Sequence, residues 1–362
     1  MDREELLLIF SSSVVGVVWG SNVLIIPLYF KSLGLSPLII GEVLSLSILT
    51  GTLLSLLLSA LGDAYGRKKF IFVSKSIGTL SYFLLLFTPF SYLFVNQGYG
   101  LVAALMAEKS RDLDKAFSYR ASLNIFFSVL GSLLPLFLDF KEIITLNGFI
   151  LLLSLLLLIP VKEKYKGTGK MSFKVSSFKL LGKLSTEALI GLGAGILLPM
   201  LSLWFNLRFG VSASEMSPIY ALSELTLALG VLGAPVLSKL MGRVRAIFVT
   251  HMLAIGVLVL IPFSTSFLEA GILYVVRNTL MNSTSPLMSS LVLSLVKEEE
   301  RSRVNSFLQL IDAIPRSLGP TVTGYLFTVG GLDIPFFITA TLYFVATLLF
   351  YMFFKQTEIS PS

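Results

Sequence analysis

Apolar residues come in long blocks along this chain, with polar ones in short clusters between them. Breaking the sequence at charge and at Gly/Pro punctuation predicts twelve helical spans, near residues 6–30, 38–60, 70–88, 90–107, 119–138, 144–160, 184–206, 216–237, 246–263, 268–293, 305–328 and 333–354. Most are close to the roughly 20 residues that carry an α-helix across a bilayer. A spanning β-barrel would need segments of about ten residues with alternating polarity, and runs such as Leu151–Leu158 show no such alternation. The expected fold class is therefore an all-α integral membrane bundle. The longest polar stretch, Val161–Lys183, separates the sixth span from the seventh. The expected organisation is thus an N-terminal six-helix bundle over 1–160, a basic cytoplasmic linker over 161–183 and a C-terminal six-helix bundle over 184–362.

Composition agrees with that reading. Of the 362 residues, 55% are apolar and 14% charged, whereas soluble chains run near 45–50% and about 25%. Mean hydropathy is +0.86. The net charge of +7 arises from 28 Lys and Arg against 21 Asp and Glu, and its distribution says more than its size. Twenty-two basic residues fall on segments that share a side with the N-terminus, three (Lys31, Lys141, Arg208) on the opposite side, and Lys75, Arg277 and Arg316 inside spans. Cytoplasmic loops collect Lys and Arg, so both termini are expected in the cytoplasm of a multi-pass protein of the cell membrane. Basic loops that face anionic lipid account for the charge without a nucleic-acid partner. The opening Met1-Asp2-Arg3-Glu4-Glu5 lacks the basic start of a signal peptide and is expected to be retained.

Several chemistries are excluded early. There is no cysteine, and His251 is the single histidine, so disulfides, thiolate clusters and multi-histidine metal sites are out of reach. No nucleophile–base constellation stands out, so neither an enzyme nor a cofactor is expected. Gly167-Thr168-Gly169-Lys170 resembles a phosphate-binding loop, but that motif needs Gly at 164 and Ser or Thr at 171, where Lys164 and Met171 stand. The segment is expected to be a flexible linker touching lipid headgroups, and transport powered directly by ATP is not expected.

The halves resemble each other. Gly66-Arg67-Lys68-Lys69-Phe70-Ile71-Phe72 aligns with Gly242-Arg243-Val244-Arg245-Ala246-Ile247-Phe248 at a shift of 176 residues, and Gly131 with Gly319 at a shift of 188. Duplicated six-helix halves enclose a midplane site in many transporter folds.

At Gly62-Asp63-Ala64-Tyr65-Gly66-Arg67-Lys68-Lys69 the sequence resembles the signature loop of the major facilitator superfamily. Pro27-Leu28-Tyr29, Leu33-Gly34-Leu35-Ser36, Gly41, Gln97-Gly98 and Glu300-Arg301 are similar to other recurrent positions of that family. The resemblance covers essentially the whole chain and implies two six-helix bundles that expose a central site to each side in turn. It also implies a gating role for Gly62, Asp63, Gly66, Arg67 and Lys68, with Glu108 or Asp112 as the acidic partner of Arg67. On physical grounds Gly62 and Gly66 permit a tight turn, and Asp63 suits a helix N-terminus. Proton-coupled exporters of the family carry an arginine where Phe94 stands, and only a remnant of their fifth-helix glycine motif survives in Gly131-Ser132-Leu133-Leu134-Pro135. A fuller Gly319-Pro320-x-x-x-Gly324 lies in the eleventh span.

Ionisable groups inside a bilayer are costly and mark function by default. Glu224, Arg277, Asp312 and Arg316 are expected at roughly 11–17 Å depth, all in the C-terminal half. Asp312 and Arg316, four residues apart, share a helical face and can pair, which leaves Glu224 and Arg277 for a second pair. A substrate- or proton-handling site and a structural charge network both fit these four. The N-terminal half offers Trp19, Asn22, Asn96, Gln97 and Asn124, suited to hydrogen bonding a neutral solute or to holding helices together. His251 is expected to be interfacial, Lys75 to snorkel to the cytoplasmic interface, and Glu187 to lie near an entrance. The resulting expectation is a monomeric secondary transporter of a small organic solute, with protons and membrane lipids as further partners. A proton-coupled exporter leads. A uniporter or symporter for a sugar or organic anion, and a non-transporting sensor, are the alternatives.

Overall fold

The computed structural model describes residues 2–95, 99–110, 113–167, 169, 185–294 and 301–358. Regular structure there is helical: α1 (Arg3–Ser13), α2 (Gly16–Ser32), α3 (Pro37–Tyr65), α4 (Arg67–Leu85), α5 (Tyr99–Lys109), α6 (Leu113–Leu133), α7 (Phe140–Leu156), α8 (Thr186–Leu197), α9 (Leu201–Phe209), α10 (Ala213–Met241), α11 (Arg243–Leu260), α12 (Phe267–Asn282), α13 (Ser285–Ser294), α14 (Arg301–Thr328) and α15 (Ile334–Phe354). Each predicted span falls on one of these helices or on two consecutive pieces, except the fourth, 90–107, which starts in a 3-10 turn (Pro89–Phe94) and crosses residues 96–98, outside the described residues, before reaching α5. Proline explains several of the breaks, because it removes a backbone donor and crowds the preceding turn. Pro199 sits in the short 3-10 turn between α8 and α9, and Pro135 and Pro262 sit in the turns that end α6 and α11.

Among the described residues, six continuous helical stretches are long and apolar enough to cross a membrane: Arg3–Ser32, Pro37–Tyr65, Thr186–Phe209, Ala213–Met241, Arg243–Phe263 and Ile334–Phe354. The others are shorter or carry the charge. Local side chains cap two of the helix starts. Asp2 accepts from the Glu5 amide at 2.8 Å, and Asp139 with Glu142 forms a reciprocal capping box on α7.

The contacts divide the chain into two compact units, one of Met1–Leu35, Leu46–Ser172 and Ala213–Ala221, the other of Ser36–Ser45, Phe173–Ser212 and Leu222–Ser362. In the first, Leu8, Ile71, Leu105, Ala116 and Leu158 form a buried cluster. α2 lies against α6 so closely that a Cβ on Gly131 would stand 2.1 Å from the Val17 carbonyl oxygen. The start of α10 belongs to this unit through Ser217, whose hydroxyl donates to the Ser132 carbonyl. In the second unit Val244, Ile247, Leu291 and Phe354 share a core. α8 lies flush on α14, where a Cβ on Gly319 would stand 2.1 Å from the Gly195 carbonyl carbon. The first residues of α3 join this unit, with the Ser45 hydroxyl accepting from the Thr321 amide at 2.9 Å.

The internal repeat is therefore physical. Gly131 and Gly319 occupy the same place in their halves, where the first span crosses the fifth and the seventh crosses the eleventh. Gly66 and Gly242 both precede a helix that opens on arginine, with φ of +103° and +86°, a region that a side chain disfavours.

Gly319→Val is expected to lower the melting temperature of the detergent-purified protein clearly, since overpacking of this kind costs about 1–3 kcal/mol. Gly256→Ala is the control: nothing lies within 4 Å of the added carbon, and its melting temperature should stay level or rise. Equal melting of both variants would contradict the close crossing.

Candidate functional site

Within the second unit is a cavity of about 280 Å³. Glu187, Ile190 and Ala194 of α8 reach it from one helical face, as their spacing of three and four dictates. His251 of α11, Arg277 and Met281 of α12, Met288 of α13, Asp312 and Arg316 of α14 and Tyr343 of α15 complete most of the wall. Small residues set this geometry. A Cβ on Gly191 would overlap the Asp312 carbonyl oxygen at 2.2 Å, and one on Gly193 would meet the Tyr343 ring at 2.8 Å. Without those glycines α8 could not approach α14 and α15.

Arg316 grips both oxygens of Asp312, Nε to Oδ2 at 2.8 Å and Nη2 to Oδ1 at 2.7 Å. This is the i,i+4 pair the spacing suggested. Arg277 is 1% exposed. Its Nη2 donates to the Tyr343 hydroxyl at 3.1 Å, with the guanidinium 5.4 Å from that ring's centre. Its Nε and Nη1 have no hydrogen-bond partner among the described residues. A buried guanidinium supported by one neutral acceptor is an energetically open arrangement.

The second cluster is the signature loop. Asp63 lies in the last turn of α3 rather than at a helix N-terminus, and α4 begins at Arg67 with Gly66 as its cap residue. The anion at that N-terminus is Glu163, whose carboxylate accepts from the Arg67 amide at 2.6 Å and the Lys68 amide at 3.0 Å. Arg67 turns back to Asp63 at 3.1 Å and stacks on Tyr165, 4.1 Å from the ring centre. Tyr165 donates to the Asp63 carbonyl at 2.7 Å, and Lys68 Nζ to the Ile159 carbonyl at 2.8 Å. A Cβ on Gly62 would meet Leu101 at 2.5 Å, which fits its close helix approach.

The profile of the Major Facilitator Superfamily matches residues 8–190 and, a second time, 184–362. The chain belongs to the major facilitator superfamily. As such it is an integral membrane protein and a secondary transporter of a small-molecule substrate, not an enzyme. Solved structures of the same fold include a mutant of the nucleoside transporter NupG, at 14% identity, TM-score 0.78, 97% of this chain and 100% of that one. The POT family transporter PepTSo matches at 11% identity, TM-score 0.78, 100% and 99% coverage. The human organic anion transporter MFSD10 matches at 15% identity, TM-score 0.71, 96% and 99% coverage. No curated protein sequence matches the chain.

Several expectations for this transporter need correction. Arg67 does not bridge to Glu108; the Glu108 carboxylate accepts from the Lys164 amide at 2.6 Å, and Asp112 lies outside the described residues. The expected Glu224–Arg277 pair is not formed. Arg277 turns to Tyr343, and Glu224, half-buried on α10, is not part of the cavity wall. His251 and Glu187, expected at an interface and an entrance, both line the cavity. Counting residues from a span's end gives depth, but not the direction in which a side chain faces.

In the first unit the neutral groups stitch helices. Asn22 donates to the Tyr82 hydroxyl, Asn147 donates to Ser21 at 2.9 Å, and Asn124 donates to the Ser13 carbonyl at 3.4 Å. Lys75 does not snorkel but donates to Ser154 on α7. Trp19 is exposed, while Asn96 and Gln97 lie outside the described residues. The linker, expected to be flexible, is tied to the signature loop over its described part by Glu163 and Tyr165. Sequence reasoning missed Glu163; the signal was a lone carboxylate amid lysines just past the sixth span.

Asp312→Asn and Arg316→Gln are each expected to lower the melting temperature, with the double variant falling short of the sum. Contacting pairs couple by about 0.5–3 kcal/mol, and the low end applies here because the side chains are 28% and 30% exposed. Strictly additive shifts would contradict the bridge.

Proposed function

We propose that this transporter moves a small organic solute by alternating access and couples that movement to protons through the cavity of its second unit. The carrying observation is that Glu187, Asp312, His251, Arg277 and Arg316 line one cavity. Asp312 is neutralised by Arg316, whereas Glu187 makes no ion pair among the described residues. A carboxylate in a low-dielectric wall favours its neutral form unless a cation compensates it. Glu187 therefore takes a proton when the cavity is closed off, and releases it when water reaches it. Asp312 holds Arg316 throughout.

The two halves, residues 1–160 and 184–362, act as the moving bundles, joined by the cytoplasmic linker 161–183. Both termini lie in the cytoplasm of the cell membrane, with the basic loops against anionic headgroups. Each chain carries the whole repeat and works as a monomer. Glu224 has no part in this reading.

Thermal stabilisation of the purified protein by a panel of solutes, read at an acidic and a neutral pH, tests it. A binder at a hundredfold excess over its Kd stabilises by about 2.7 kcal/mol. For at least one binder the shift should depend on pH, and Glu187→Gln should abolish that dependence while binding persists. A pH dependence unaltered in both Glu187→Gln and Asp312→Asn would overturn the proton-carrier role.

A further inference from the structure

We infer that the transported solute is a small organic monocarboxylate, its carboxylate held by Arg277 and the Tyr343 hydroxyl, and that one proton on Glu187 travels with it. The inference rests on transport through the cavity of the second unit. Its own support is the state of Arg277. That side chain is 1% exposed, lines the cavity, and uses one donor on a neutral hydroxyl while Nε and Nη1 stay without hydrogen-bond partners among the described residues. A guanidinium offers two edges that match a carboxylate, Nη2 with Nε or Nη2 with Nη1. Either edge is completed if the anion shares Nη2, and the Tyr343 hydroxyl, relieved as acceptor, can turn its proton to the same oxygens.

Charge balance points the same way. Arg316 is saturated by the bidentate bridge to Asp312, so among the Arg, Asp and Glu side chains of the wall Arg277 and Glu187 carry the remaining formal charges. Glu187 shares the cavity with Asp312 and Arg316 of α14, His251 of α11, Arg277 of α12 and Tyr343 of α15. Once Glu187 is protonated, the wall holds one positive charge in excess, which a monoanion cancels. A neutral solute would offer the open Arg277 donors no anionic acceptor, and a cation would meet two arginines. Anion and proton thus enter together, the loaded cavity is neutral, and the proton moves in the same direction as the anion. Cavity size and lining bound the rest of the solute. About 280 Å³ admits only a compact body, for which Ile190, Ala194, Leu198, Met281 and Met288 supply apolar wall and Asn282, Thr284 and Ser285 supply polar contacts.

The test uses the full-length protein with acetate, hexanoate and benzoate as probes, and benzamide and benzylamine as the neutral and cationic counterparts of benzoate. Hexanoate or benzoate should raise the melting temperature, more at acidic than at neutral pH, while benzylamine should not. Arg277→Gln should weaken that binding at least tenfold and Arg277→Lys less so. If Arg277→Gln does not fold, Tyr343→Phe serves in its place, with a several-fold loss for the carboxylates and none for benzamide. In proteoliposomes an imposed benzoate gradient should acidify the receiving side beyond the leak of protein-free vesicles, and Glu187→Gln should remove that excess. Stabilisation by benzamide equal to that by benzoate, or by no carboxylate at all, would overturn the anion class while leaving proton coupling to stand or fall on the Glu187→Gln comparison. Benzoate binding that survives Arg277→Gln unchanged would overturn the assignment of Arg277.

Discussion

A charge withdrawn from water into a bundle of apolar helices must find a counter-charge, and in this protein the second unit satisfies that constraint only in part. Asp312 and Arg316 answer each other within one helix, so their pairing survives any rigid movement of α14. Arg277 has no such answer on its own helix and leans on a tyrosine. Desolvating an unpaired guanidinium is a standing cost that packing elsewhere offsets, and a solute that removes it gains affinity from the same source. Structure and function are linked at this point: the residue least satisfied in the resting fold is the one best suited to a ligand.

The scaffold that permits the arrangement is built from glycine. In each unit the first span crosses the fifth (or the seventh crosses the eleventh) at backbone contact, through Gly131 on Val17 and through Gly319 on Gly195. Apolar side chains alone give helices little reason to associate in lipid, so close approach through small residues supplies the packing. The same approach in the second unit holds Glu187 on a helix that runs flush against the one bearing Asp312 and Arg316. The duplicated framework has diverged in its chemistry. Around the equivalent crossing the first unit has Ser21, Asn22, Tyr82 and Asn147 bonded to one another, a network whose donors are largely spent on holding helices.

Much of this was legible in the sequence, for reasons that differ by element. Helix positions followed from block hydrophobicity, because a span must be apolar over its whole length. The repeat was legible at Gly66 and Gly242 because a positive φ before a helix admits few residues other than glycine. The Asp312–Arg316 pair was legible because its spacing is fixed by the helix itself. What escaped depends on contacts distant in sequence. Glu163 caps α4 from 96 residues away, and nothing in the local pattern links them. Charge and depth suggest a Glu224–Arg277 pair, yet which face of α12 meets α15 is decided by packing. For His251 and Glu187 the sequence offers depth alone, which carries no azimuth.

The central claim is that the charged cavity of the second unit is open to each side of the membrane in turn. The chain has no cysteine, so one introduced at Ala194, a small residue on the cavity wall, reports without background. Labelling of Ala194→Cys by a small, membrane-impermeant thiol reagent should proceed from the outside and, in inverted vesicles, from the inside as well, and benzoate should slow both. Labelling from one face only, unaffected by any carboxylate, would contradict the account.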